Sequence, residues 1–391
     1  MSVYIALLAR PGARALAIAC AAGWLAFAGI TLAIVLLVEH GTGSFAVAGL
    51  AVGGFAAGAG ALAPLRGRLI DRRGPAALLW LGAAHTLAIG VLLALPGQAP
   101  AAVAVAVATV AGALSPPLIA TARAVWPRVA GRDLTRAAHA TNALLGDVAA
   151  VVSPALVGVL AATAGPAVAL AAIGGGPLVG CVLVARLDAV RASARRPSVK
   201  VHAPGAMRFP GVRTIVLAGL PLGVAVGGLE VGAPAFALEE GHEALVALPL
   251  AAFAAGSVLA SAWVGHSRRA GGPAARFTAG AVLLAAALVP APFAGSVGVL
   301  AAILAVAGVG YALLNVGCLE LLDVVVPERN AVEALTWLTS AEGLGLAAGA
   351  AAAGALAEHG TAAALAVAAV APAATAATAL ARRGTLGPTG P

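Results

Sequence analysis

The sequence predicts an all-α membrane protein, with twelve transmembrane helices arranged as two pseudo-symmetric six-helix bundles. Three observations carry that expectation. Of the 391 residues, 61% are hydrophobic and only 10% are charged, whereas soluble domains carry roughly 25% charged residues. Mean hydropathy is +1.02. Apolar runs of about 20 residues, the length a helix needs to cross ~30 Å of hydrocarbon, follow one another from end to end. Polarity does not alternate within these runs, so barrel strands are excluded. Soluble enzymes, nucleic-acid modules and disordered scaffolds are excluded by the same composition, and the formal charge of +8 reads as a topology signal.

Cuts at charged or Pro/Gly-rich breaks place the first six spans near 16–38, 44–64, 76–95, 99–122, 137–161 and 165–185. The first run exceeds a signal-peptide core of about 7–15 residues and is expected to stay in the membrane. Spans seven to twelve follow near 213–237, 244–264, 277–294, 297–321, 334–356 and 361–381. The longest polar break, 186–212, is expected to be a cytoplasmic loop between an N-terminal bundle, 1–185, and a C-terminal bundle, 213–391. All 23 basic residues fall on one side of this arrangement, which predicts that both termini are cytoplasmic. Glu39, Glu239, Glu240, Glu243 and Glu358 fall on the other side. Arginine supplies all but one of the basic residues; with the abundance of alanine and glycine this suggests a GC-rich bacterial gene and a multi-pass protein of the bacterial inner membrane. Cys20, Cys181 and Cys318 lie in apolar stretches without ligand spacing, so no metal, cofactor or disulfide is expected. The halves also echo each other: Gly67, Gly74, Pro75, Ala76 and Ala77 recur at one constant offset as Gly265, Gly272, Pro273, Ala274 and Ala275, which favours two parallel repeats.

Between spans two and three, the loop Gly67-Arg68-Leu69-Ile70-Asp71-Arg72-Arg73-Gly74 resembles the G-x-x-x-D-R/K-x-G signature of the major facilitator superfamily. Ala76 and Ala77 replace the two basic residues that usually end that motif. The resemblance covers the whole chain and implies the fold of that family and secondary active transport by alternating access. In span five, Ser153-Pro154-Ala155-Leu156-Val157-Gly158 resembles the G-P-x-x-G-G motif of proton-driven drug exporters with two glycines replaced; a proline kink tolerated in any bundle is the alternative. Span four departs from many drug/proton antiporters in lacking an embedded arginine and the R-x-x-Q-G motif. The resemblance implies proton-coupled efflux of a small amphipathic or cationic organic compound. A nutrient importer or facilitator, and a transport-dead receptor or assembly partner, remain open on the same fold. Expected partners are the substrate, protons and the bilayer, with no nucleic acid, around a monomer.

A charge within a span costs about 2.5–3.5 kcal/mol on insertion scales, so acids that remain there are candidates for function. Asp147 lies near the middle of span five and two turns from Pro154, Glu342 near the middle of span eleven, and Glu230 in the outer half of span seven. They are candidates for proton coupling or cation binding; for Asp147 a structural hydrogen bond, and for Glu342 a packed neighbouring helix, are the alternatives. The resemblance implies that spans one, four, seven and ten line a central cavity, which makes Trp24, Thr31, Tyr311 and Asn315 candidate substrate contacts and His85 peripheral. The resemblance also implies that spans two and eleven face one another, so Gly49, Gly53, Gly54 and Gly58 of span two are expected to meet Gly345, Gly349 and Gly354 of span eleven across the halves; chance spacing in a chain with 50 glycines is the alternative. The repeat offset further suggests two gating ion pairs, Asp71 with Arg123 and Arg269 with Asp323 or Glu320, acting with Gly67, Arg72 and Gly74 of the signature.

Overall fold

The computed structural model describes residues 3–95, 100–187, 205–266 and 272–387, and every regular element among them is helical. A short helix α1 (Val3–Leu8) leads into α2 (Ala13–Thr42), α3 (Phe45–Ala61), α4 (Ala63–Arg73), α5 (Pro75–Ala94), α6 (Ala101–Leu114), α7 (Leu118–Ala164) and α8 (Pro166–Arg186). The second half comprises α9 (Pro210–Glu239), α10 (Leu248–His266), α11 (Pro273–Leu288), α12 (Val297–Val325), α13 (Glu328–Ala357) and α14 (Thr361–Ala381). Eleven stretches among the described residues are long and apolar enough to cross a membrane, and α3, with 17 residues, is a shorter apolar twelfth. Local chemistry sets the boundaries. Ser44 and Ser296 accept the backbone N–H groups of Val47 and Val299 and so start α3 and α12, while Pro75, Pro166, Pro210 and Pro273 open the first turn of their helices, where no N–H is needed. Large apolar side chains face outward, among them Trp80 and Trp263, both 62% exposed, as a lipid-facing surface requires.

Two elements differ from the sequence reading. Residues Gly67 to Arg73 are not a loop: they lie on helix α4, which restarts after Leu62 with Pro64 in its first turn and stops at Gly74, whose φ of 62° suits glycine. Span four is not one continuous helix either. Ser115-Pro116-Pro117 separates α6 from an inner leg that begins at Leu118, because neither proline offers an N–H to the preceding turn. The inner leg then runs to Gly131, whose φ of 74° turns the chain directly into span five, Asp133–Ala164.

Packing repeats between the halves. In the first, α2 packs on α7 and α8, α3 on α6, and α5 on α6 and α8; in the second, α9 packs on α13 and α14, α10 on α12, and α11 on α12 and α14. Even the close approaches correspond: a Cβ on Gly112 would run into the Phe55 backbone, and one on Gly308 into that of Phe253. Across the halves, α3 meets α13, α7 meets α10 and α2 meets α9. The end of the bundle that carries Glu39, Glu239 and Glu358, where Ser44 before α3 meets Glu358 after α13, is here called the acidic end; the opposite, basic end carries Arg10, Arg66 and Arg382. Buried apolar residues form two clusters. One joins both halves, from Ala26 to Leu386. The other belongs to the basic end of the first half alone, from Leu7 to Leu187.

Candidate functional site

Where α2 meets α9, the Thr31 hydroxyl lies beside the Glu230 carboxyl. Oε2 of Glu230 is buried and has no hydrogen-bond partner among the described residues. Tyr311 of α12 lies next in this group: its hydroxyl is beside Asn315 one turn on, within the field of both Glu342 and Glu230. Its ring packs on Phe253 of α10 with centroids 5.3 Å apart. Glu342 projects from α13 against Gly219 of α9 and borders a small cavity lined also by Leu222, Leu314, Cys318 and Leu338. A glycine is required at Gly223, where a Cβ would collide with the Glu342 carbonyl oxygen, whereas at Gly219 it would meet the movable end of Leu338 at 2.7 Å. Neither Glu230 nor Glu342 forms an ion pair with an arginine or lysine among the described residues. The fold thus gathers Thr31, Glu230, Tyr311, Asn315 and Glu342 from four helices.

Trp24 and Asp147 sit apart from this group, on the first half. Trp24 donates through Nε1 to Asn142 Oδ1 at 3.4 Å, and its ring covers Gly146, next to Asp147. Asp147 itself is exposed. On α7 it shares a face with Pro154 and Gly158, and Gly158 abuts α10: a Cβ there would come within 2.6 Å of the Ala247 methyl. Asp147 therefore lies on the seam face, closer to the basic end. Phe27, one turn from both Trp24 and Thr31, is 70% exposed and stands edge-on to the Trp24 ring at 5.8 Å. Sequence reasoning passed over Phe27; its spacing from Trp24 and Thr31 on one helix face was the available signal. Ser153 donates to the Leu25 carbonyl at 2.6 Å, which ties α7 to α2.

The remaining candidates divide. Gly49 and Gly53 do face α13, at the backbones of Ala350 and Ala347, and Gly354 returns the contact at Phe45 and Gly49. Gly54 and Gly58 instead face Thr109 of α6, while Gly345 and Gly349 face Leu220 and Val224 of α9, so these four pack within their own halves. His85 is 2% exposed and bonded through Nδ1 to the Ala111 carbonyl at 2.8 Å, a satisfied core residue. Glu320 pairs with Arg276. Arg269 lies outside the described residues, as do the side chains of Asp71 and Arg72; Arg123 and Asp323 are exposed. Gly67 has open space where a Cβ would stand.

The sequence matches the family model "Major Facilitator Superfamily" over residues 16–350. No curated protein matches it. Among solved structures, it is similar to a variant of the nucleoside transporter NupG (TM-score 0.73, 12% identity, covering 94% of this chain and 99% of that one) and to a peptide transporter, POT, in complex with sulfate (0.72, 14%, 97% and 96%). It is also similar to a bacterial homologue of the human lysosomal transporter Spinster in an inward-facing and occupied conformation (0.60, 14%, 95% and 94%). At these identities the likeness speaks for the fold, and the fold is that of transporters. With the match running from the first span into the eleventh, and two six-helix halves repeating one packing scheme, the chain belongs to the Major Facilitator Superfamily.

Proposed function

We propose that this transporter expels a small amphipathic or cationic organic compound in exchange for protons, by alternating access between its two halves. The observation that carries the reading is the group around Tyr311: two carboxyls, Glu230 and Glu342, one on the seam and one beside it, flank one phenol and pair with no basic side chain among the described residues. A carboxylate held in hydrocarbon without a counter-ion is costly, so each acid either carries a proton or faces a cation. That alternation is what exchange requires. Asp147, exposed on the seam face toward the basic end, is an acid that a cation entering from that side would meet, and Trp24, with Phe27 edge-on to it, offers a ring face near by. The reading takes the basic end as cytoplasmic, the bundles as 1–185 and 213–391 around the central loop, and the protein as a monomer of the inner membrane. It assigns the α4 signature with Arg123, and Arg269 with Asp323, to closure of the basic end.

The test uses purified protein in liposomes carrying an internal pH-sensitive dye, challenged with ethidium and with tetraphenylphosphonium. Cation-dependent proton movement is expected from the wild type. Glu230→Gln and Glu342→Gln, which keep shape and remove titration, are expected to reduce it by roughly tenfold or more, in keeping with the usual contribution of a positioned proton-transfer group. Proton movement at the wild-type rate in both variants would remove these acids from the mechanism. Cation accumulation driven by the opposite gradient would replace export by import.

A further inference from the structure

The break in span four leaves identifiable backbone groups without donors. In an α-helix each carbonyl accepts from the N–H four residues on. Gly112 and Ala113 would need donors from positions 116 and 117, both proline. The Ser115 N–H turns from Ala111 to Gly112 at 3.0 Å, which gives Gly112 one backbone donor and leaves Ala111 and Ala113 without a helical one. Buried carbonyls of this kind must find partners elsewhere, and two side chains from other helices supply them. Arg66 Nη1 donates to Gly112 at 2.7 Å and to Ala113 at 3.3 Å, and His85 Nδ1 donates to Ala111 at 2.8 Å. Arg66 Nη2 also donates to the Ala59 carbonyl, in the last turn of α3, where the helix ends before Pro64. One guanidinium, 8% exposed, thus bridges the breaks in spans two and four.

That bridge stands at a packing boundary. On the acidic side of the break, Ala104, Ala108 and Ala111 belong to the apolar cluster shared by both halves. On the basic side, Leu118, Ala122, Val125 and Trp126 belong to the separate cluster confined to the first half. Spans one and six cross the same boundary, between Cys20 and Ala26 and between Ile173 and Cys181. The basic end of the first half is therefore packed as its own body. It is joined to the rest through span four by a stretch that lacks part of its helical hydrogen bonding.

We propose that Arg66 is a positioning residue for transport: its guanidinium stands in for the donors that Pro116 and Pro117 lack, and so sets the angle of the span-four inner leg and of α4 as the halves alternate. The role differs from that of the signature residues of α4, because it works through the carbonyls of a neighbouring helix. Arg suits it and Lys does not, since only a planar fork with several N–H groups reaches three carbonyls on two helices.

Hydrogen–deuterium exchange on the full chain in lipid nanodiscs tests this without knowledge of the substrate. Arg66→Ala should raise exchange of 59–66 and 111–121 by roughly tenfold or more, as for buried acceptors stripped of their donor. It should also slow exchange of the α3–α13 seam at the acidic end, because a leg that cannot be set leaves the basic end open. Added guanidinium ion at low millimolar concentration should restore both, and Arg66→Lys only in part. Pro116→Ala with Pro117→Ala returns two N–H donors, so adding Arg66→Ala to that pair should change exchange of the span-four peptide far less than it does in the wild type. Effects that simply add, no response to guanidinium, or a change confined to 59–66 and 111–121 would each overturn the positioning role; the last would leave Arg66 a local cap. If Arg66→Ala fails to fold, the Lys and triple variants carry the same test. None of these outcomes depends on whether the cargo is cationic or exported.

Discussion

Glu358, just past the end of α13, accepts from the Ser44 hydroxyl at 2.7 Å and the Ala46 N–H at 3.2 Å, placing a carboxylate on the first turn of α3 across the seam. These bonds, with a smaller contribution from the neighbouring His359, hold its carboxyl below the ordinary carboxylate range. A group with a depressed pKa favours the bonded state at pH values above its ordinary pKa of about 4.3 and loses that contribution as pH falls through the depressed value. The acidic-end contact is thus expected to be insensitive to Glu358 between pH 8 and 6 and to loosen only below about pH 4. Glu358→Gln should loosen it between pH 6 and 8, read as faster hydrogen exchange at 45–49; a variant with wild-type exchange there would show that the carboxylate contributes nothing to closure. The sequence revealed Glu358 as an acid of an outside loop and no more, because its partners lie on the opposite half. Glu230 and Glu342 were legible from the rarity of charged groups within spans, and Tyr311 only through the family resemblance, whereas their assembly into one group depended on which way each helix is rotated.

Glycine spacing governs how the helices meet. A Cβ on Gly49 would collide with the Ala350 carbonyl and one on Gly53 would reach the Ala347 carbonyl at 2.8 Å, whereas at Gly60 it would meet nothing. Overpacking a close contact costs about 1–3 kcal/mol. Gly49→Val is therefore expected to hold the α3–α13 seam open, read as labelling of a cysteine placed at Ala46 by a membrane-impermeant maleimide, while Gly60→Ala leaves labelling unchanged. Equal labelling in both would show that the seam does not need these glycines. At this scale the spans were legible because hydropathy and length report them directly. The interruption in span four was written in Pro116 and Pro117 but hidden by the apolar residues on either side. The partners of Gly345 and Gly349 were misread for a different reason: small-residue spacing marks a close helix contact without saying which neighbour makes it, and here α9 takes the place expected of α3.

For the whole molecule, the distribution of charge predicts orientation. A cysteine at Ser198, within the central loop, should resist impermeant maleimide in intact cells and react after permeabilisation, while one at Glu240 should react at once. External reaction at Ser198 would invert the topology and, with it, the assignment of the basic end to the cytoplasm. The division of the apolar interior into two clusters also bears on how the chain is made. Every member of the basic-end cluster lies between Leu7 and Leu187, so that cluster can close as soon as six spans have left the ribosome. The shared cluster needs residues as late as Leu386, and the seam faces of α7 and α3 have only lipid or a chaperone to cover them until α10 and then α13 have been made. The first half therefore enters the bilayer with one end already consolidated and the other waiting for its partner, and that waiting end is where a stalled or truncated chain is exposed to quality-control proteases.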